Sequence, residues 1–80
     1  MNEQLRKYLL SLNCTVINPI MAKLGSKEVV GWYCKSSSTL RKEQHLKLIE
    51  KYIADNRIEY YLTEGADDRE EFSIYINKTQ

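Results

Sequence analysis

The last third of the chain alternates apolar and polar positions twice, on either side of an acidic segment. In the runs 58–63 and 72–77, every second residue is apolar. This period of two is typical of a strand that buries one face. We therefore predict a β-hairpin with the acidic segment TEGADDREE at its turn. The opposite face of the two strands carries Tyr61 and Tyr75, large amphipathic side chains that are suited to contact with a partner.

Two other segments have the spacing of amphipathic helices. Near the N-terminus, apolar residues recur at intervals of three and four at Leu5, Tyr8, Leu9 and Leu12. Asn2 is the predicted N-cap of this helix, and Asn13 is its predicted stop. A longer helix is predicted over about residues 40–56, with Ser38 or Thr39 as its N-cap. Its apolar stripe comprises Leu46, Ile49, Tyr52 and Ile53, and Leu48 widens it.

Two further strands are predicted between the helices. The run 14–24 is rich in β-branched and apolar residues, and the run 28–35 follows it after a turn. Pro19 lacks a backbone donor, which restricts the first of these strands to a sheet edge or a bulge. The predicted order is αββαββ, an α+β fold in which a four-stranded, largely antiparallel sheet carries both helices on one face. The 80 residues are expected to form one small globular domain.

The composition is that of a folded protein without a strong overall charge. Hydrophobic residues are 42% of the chain, and 12 Lys and Arg against 11 Asp and Glu give a formal net charge of +1. A dedicated nucleic-acid-binding protein usually has a more basic balance. Basic residues concentrate in 35–51 and acidic ones in 64–71, so one basic and one acidic region are expected. The N-terminus has no apolar run long enough for a signal peptide or a membrane span, which favours a cytoplasmic protein.

Residues that often carry chemistry are few and scattered. Cys14 and Cys34 have neither a disulfide framework nor a metal-site spacing around them, so we expect two reduced thiols, no metal and no cofactor. His45 is the only histidine, and helical spacing puts it on or near the buried stripe. A packed histidine is favoured over a catalytic one, because no activating carboxylate is identifiable. The acidic turn with Asp67 and Asp68 lacks a calcium-loop pattern; it is either a solvated turn or a contact for a basic partner.

Three basic residues near the start of the long helix are a candidate anion site. Lys35, Arg41 and Lys42 flank a position where backbone donors and the helix dipole can hold an anion. No glycine-rich phosphate loop accompanies them, so an ordinary polar loop is the alternative interpretation.

The aromatic residues are a second candidate for binding. Trp32 and Tyr33 are adjacent in a predicted strand and must face opposite ways. One of this pair should therefore join Tyr61 and Tyr75 on the uncovered face of the sheet. Such a platform suits either a protein interface or stacking on nucleobases. The alternative is that these side chains are merely half exposed and have no binding role.

These patterns lead to hypotheses about binding rather than catalysis. The first is a non-catalytic protein-binding module, an inhibitor or adaptor that covers a partner's surface with its tyrosine-bearing face, either alone or as a homodimer. Small chains of this size are often inhibitors encoded by phages or mobile elements, including antagonists of host systems. The alternative is a nucleic-acid-binding protein that combines the same face with the basic residues. An enzyme is least favoured, because no nucleophile and base pair, metal set or room for a deep pocket is apparent.

Overall fold

A computed structural model describes residues 1–37, 41–64 and 70–77 of the chain. Six elements follow one another in the order αββαββ. They are α1 (Glu3–Ser11), β1 (Thr15–Met21), β2 (Val29–Lys35), α2 (Lys42–Asp55), β3 (Tyr60–Glu64) and β4 (Glu71–Ile76). The strands form one four-stranded antiparallel sheet, so the predicted α+β fold is confirmed.

The first helix begins and ends where the sequence predicts. The side chain of Asn2 accepts a hydrogen bond of 3.1 Å from the N–H of Leu5, which satisfies one of the unpaired donors of the first turn. Glu3 lies in that turn, where its negative charge favours the positive end of the helix dipole. At the other end, Asn13 has a φ of 62°, a left-handed conformation that asparagine tolerates and that terminates the helix.

The second helix is shorter than predicted, and its apolar stripe packs on the core as predicted except at Leu48. It begins at Lys42, and Arg41 holds the N-cap position without a side-chain capping bond. The two predicted caps, Ser38 and Thr39, lie outside the described residues. The predicted role of Leu48 is wrong, because its side chain is 44% exposed: each residue turns a helix by about 100°, which directs Leu48 away from the sheet. The buried positions of α2 are Lys42, His45, Ile49 and Ile53.

The sheet has the strand order β1-β2-β4-β3, so β2 and β4 are central and β1 and β3 are the edges. Pro19 lies in β1, which confirms its predicted place at an edge. The pairing of β1 with β2 has two irregularities, one between Val16 and Asn18 and the other between Ile20 and Met21. Such bulges bend and twist an edge strand, which limits its pairing with other chains.

Both helices pack on the same face of the sheet. The buried core consists of Leu5, Leu9, Cys14, Cys34, Ile49, Ile53, Phe72 and Ile74. The strand register explains why the central strands contribute to it: Cys34 is paired with Phe72, and paired residues project from the same face. The helices also contact each other directly, through a parallel stack of Tyr8 on Tyr52 with ring centroids 4.0 Å apart. Among the described residues, the other face of the sheet carries no helix.

Candidate functional site

The face of the sheet opposite the helices brings three tyrosines together; we call it the open face. Its side chains form two adjacent rows that cross the four strands. One row contains Ile20, Gly31, Tyr75 and Tyr61, and the next contains Asn18, Tyr33, Ser73 and Thr63. Among the described residues, no helix or strand lies over these rows.

The register also settles which member of the Trp32–Tyr33 pair belongs to the open face. Trp32 is paired with Ile74, on the helix side, and its ring lies 5.5 Å from that of Tyr60. Trp32 is half-buried there, whereas Tyr33 is paired with Ser73 and is 44% exposed. The open face therefore carries Tyr33, and Trp32 packs against the core.

Tyr61 and Tyr75 form a stacked pair on strands β3 and β4 of the open face. They are direct cross-strand partners, with ring centroids 5.5 Å apart and an angle of 20° between the ring planes. The neighbouring position in the row is Gly31, and a Cβ atom there would lie only 2.9 Å from the Cδ1 atom of Tyr75. The absence of a side chain at Gly31 is what allows the Tyr75 ring to lie against the backbone of β2. Tyr61 is 47% exposed at the outer end of the pair.

The open face continues into an apolar region at the β1–β2 turn that sequence reasoning missed. A shallow cavity of about 320 Å³ is lined by Pro19, Ile20, Met21, Lys23, Leu24, Gly25 and Tyr33. Met21 is 42% exposed and Leu24 is fully exposed. The sequence contained one indication of this region: Leu24 precedes the turn glycine Gly25, whereas turns are normally built from polar residues. The exposed apolar surface thus runs from Tyr33 to Leu24.

The structure places the three basic residues of the predicted anion site in different surroundings. The Nζ atom of Lys35 lies 3.6 Å from a carboxylate oxygen of Glu70, and Glu71 is the cross-strand partner of Lys35. The side chain of Lys42 is buried in the helix layer, although Arg41 beside it is exposed. The predicted contact residues Asp67 and Asp68 lie outside the described residues.

A small polar cluster lies buried where β1, β2 and α2 meet. The Nδ1 atom of His45 lies 2.6 Å from the Oγ atom of Ser36 and 3.7 Å from the Sγ atom of Cys14. His45 is 8% exposed, which confirms that it is a packed histidine. Burial raises the pKa of the Cys14 thiol, and it raises the pKa of Cys34 to about 12, so both thiols are protonated and weakly nucleophilic at neutral pH.

The parts of the chain that the structure describes hold no group of three or more His, Cys, Asp or Glu side chains placed to bind a metal ion. Neither described helix combines the length and the apolar character that crossing a membrane requires. Comparisons with protein-family models, with curated proteins and with solved structures found no match. The open face and its charges are therefore the features from which a function can be inferred.

Proposed function

We propose that the protein is a non-catalytic binding module that recognises a partner protein through the open face. The observation that carries this proposal is the convergence of Tyr33, Tyr61 and Tyr75 on one side of the sheet. Aromatic residues, tyrosine among them, are enriched at the centres of protein interfaces and among the residues that dominate binding energy.

The geometry of the tyrosines favours tight binding for an entropic reason. Tyr75 is held between Gly31 and the stacked ring of Tyr61, so it loses little rotamer freedom when a partner covers it. The face is built on strands rather than on a loop, which keeps the side chains in a fixed arrangement. Exposed apolar surface at Met21 and Leu24 extends the area that a partner can bury.

In the proposed mode of action, the protein covers a partner's surface and thereby acts as an inhibitor or as an adaptor. A domain of this size buries a small core and has little room for a deep substrate pocket, which favours action through its surface. If the acidic segment around Asp67 and Asp68 takes part, the partner surface is basic. The buried free thiols of Cys14 and Cys34 fit a reducing compartment, so we place this action in the cytoplasm, as expected of a phage or mobile-element antagonist of a host system.

Nucleic-acid binding is the alternative, and the charges support it less. Phosphate contacts normally dominate such affinity and require uncompensated Lys and Arg. On the open face Lys35 is neutralised by Glu70 and lies opposite Glu71. The tyrosine face can stack on bases, but the carboxylates beside Lys35 weaken the attraction of that lysine for a polyanion.

The test is an affinity capture from cell lysate with the tagged protein, before and after nuclease treatment and at two salt concentrations. Tyr33→Ala and Tyr61→Ala each remove an open-face side chain. Leu48→Ala is the matched control, because Leu48 is 44% exposed, as Tyr33 is, but lies on α2. We expect a discrete protein that survives nuclease, is lost with either tyrosine variant and is retained by the control.

Other outcomes would contradict the proposal in distinct ways. Recovery of nucleic acid in a strongly salt-sensitive manner would support the alternative. Capture of the same protein by all three variants would place its binding site elsewhere on the molecule. Sedimentation of the purified protein tests for a homodimer. If the protein dimerises and Tyr33→Ala abolishes the dimer, the partner is a second copy of this chain.

A further inference from the structure

The edge strand β3 leaves backbone groups unpaired. It is bonded to β4 on one side only. Beyond the last registered pair of these strands, the N–H of Asn77 donates to the carbonyl of Glu59 at 2.8 Å. Because bonded and non-bonded pairs alternate along antiparallel strands, the N–H and the C=O of Leu62 both point away from the sheet. Outside the hydrogen-bond ladder of the sheet, no backbone hydrogen bond among the described residues reaches these two groups.

A groove lies alongside this free edge, between β3 and α2. Its volume is about 290 Å³, and its lining residues are Glu43, Leu46, Lys47, Glu50, Leu62 and Thr63. The four helix residues follow the spacing of one helical face. Leu46 and Leu62 are partly buried against the core and form an apolar floor. This volume is at the lower limit for a drug-sized ligand, so it suits one or two side chains better than a whole small molecule.

The rim of the groove is acidic on balance. Glu43 and Glu50 outnumber Lys47, and no ion pair joins any of the three to a described residue. Glu50 lies about 6 Å along the helix axis from Leu46. Residues two apart in an extended strand are separated by about 6.6 Å and project from the same face. A strand beside α2 can therefore place an apolar side chain near Leu46 and a basic one near Glu50.

We propose that the groove between α2 and β3 binds an extended segment of a partner protein as an added antiparallel strand. One residue of the segment exchanges both hydrogen bonds with Leu62 and lays an apolar side chain on the floor of the groove. A lysine or arginine two residues away pairs with Glu43 or Glu50. This site is separate from the open face and does not depend on it.

The probe is the end-capped peptide Ser-Thr-Lys-Thr-Val-Thr-Lys-Thr-Ser, titrated into the isotope-labelled protein and followed by NMR. We expect the amide of Leu62 and the amides near Glu50 to shift. A peptide with Glu in place of both Lys residues should bind about tenfold more weakly. N-methylation of the central Val removes the donor to the Leu62 carbonyl and should also weaken binding about tenfold.

Variants of the protein test the charge assignment. Glu50→Lys should reverse the preference, so that the Glu peptide binds better than the Lys peptide. Asp55→Lys is the matched control, an exposed carboxylate on another side of the same helix, and it should leave the preference unchanged. Tyr33→Ala should also bind the peptide normally, which keeps this proposal distinct from the one for the open face.

Three results would overturn the proposal. The first is equal affinity for the Lys peptide and the Glu peptide. The second is a set of shifts confined to the open face or the absence of any shift at Leu62. The third is a shift of the Leu62 amide with protein concentration alone, which would show that β3 pairs with a second copy instead.

Discussion

The Oγ atom of Ser36 lies 2.6 Å from the Nδ1 atom of His45, and both side chains are buried. Ser36 directly follows β2 and His45 belongs to α2, so this hydrogen bond ties the second helix to the centre of the sheet. It also provides a partner for a ring nitrogen that burial removes from water, which would otherwise destabilise the fold.

Replacing this serine should lower the stability of the fold. Ser36→Ala leaves the Nδ1 atom of His45 with only the distant Sγ of Cys14, so we expect the free energy of unfolding to fall by about 1–3 kcal/mol. Urea denaturation measures it, with Ser37→Ala as the control, since Ser37 is exposed and its loss should cost under about 0.5 kcal/mol. Equal losses in the two variants would show that the bond to His45 contributes nothing.

Gly31 should not tolerate even one added methyl group. A Cβ atom there would lie 2.5 Å from the backbone oxygen of Ile74, which cannot move without distorting β4. Gly31→Ala should therefore destabilise the protein by about 1–3 kcal/mol and displace the Tyr75 ring, which NMR shifts of Tyr75 detect. Gly25→Ala is the contrast, because it strains a positive φ of 79° but meets no atom within 4 Å, and it should leave Tyr75 undisturbed. A Gly31→Ala variant with wild-type stability and unchanged Tyr75 shifts would contradict this interpretation.

Alanine substitutions of the open-face tyrosines should lower the free energy of unfolding less than alanine substitutions of core residues. Thermal or urea unfolding measures the difference. Ile49 is fully buried, so Ile49→Ala should cost about 2–5 kcal/mol. Tyr61 is 47% exposed, so Tyr61→Ala should cost under about 1 kcal/mol while it removes partner binding. Tyr75→Ala should lie between the two, because its ring is half-buried against Gly31. If Tyr61→Ala is as unstable as Ile49→Ala, the exposed tyrosines support the fold and the case for a binding face fails.

Stability should fall in alkaline solution because of the buried thiols. The pKa of Cys34 is raised from 9.0 to about 12 by burial, so the folded state holds the thiol proton more tightly than the unfolded state does. The resulting stability is complete below about pH 9 and is lost as the pH rises from there towards 12, by about 1.4 kcal/mol per pH unit. Urea denaturation at about pH 8 and pH 10 measures this loss for the wild type and for Cys34→Ala. Between the two pH values, the free energy of unfolding should fall less for the variant than for the wild type. An identical fall in both proteins would show that other groups cause it.

Local patterns in the chain were enough to predict the elements and the fold class. Asn2 as a cap, Asn13 as a stop and Pro19 in an edge strand each follow from the conformations of a few adjacent residues, and the structure confirms them. The alternation of apolar and polar residues along β3 and β4 likewise indicates which side of each strand is buried, since successive side chains of a strand project to opposite faces of the sheet. Where local signals were weak, at the start of α2 and at Leu48, the prediction was less accurate.

The candidate site was predicted in part. Tyr61 and Tyr75 belong to it by alternation alone, but the choice between Trp32 and Tyr33 depends on how β2 pairs with β4. That pairing depends on contacts between residues far apart in the sequence, and a shift of one residue would exchange the two faces. The contact of His45 with Ser36, the close approach at Gly31 and the groove beside β3 depend equally on the strand order β1-β2-β4-β3. Such contacts arise from packing across the chain, and the periodicity of a single segment carries no information about them.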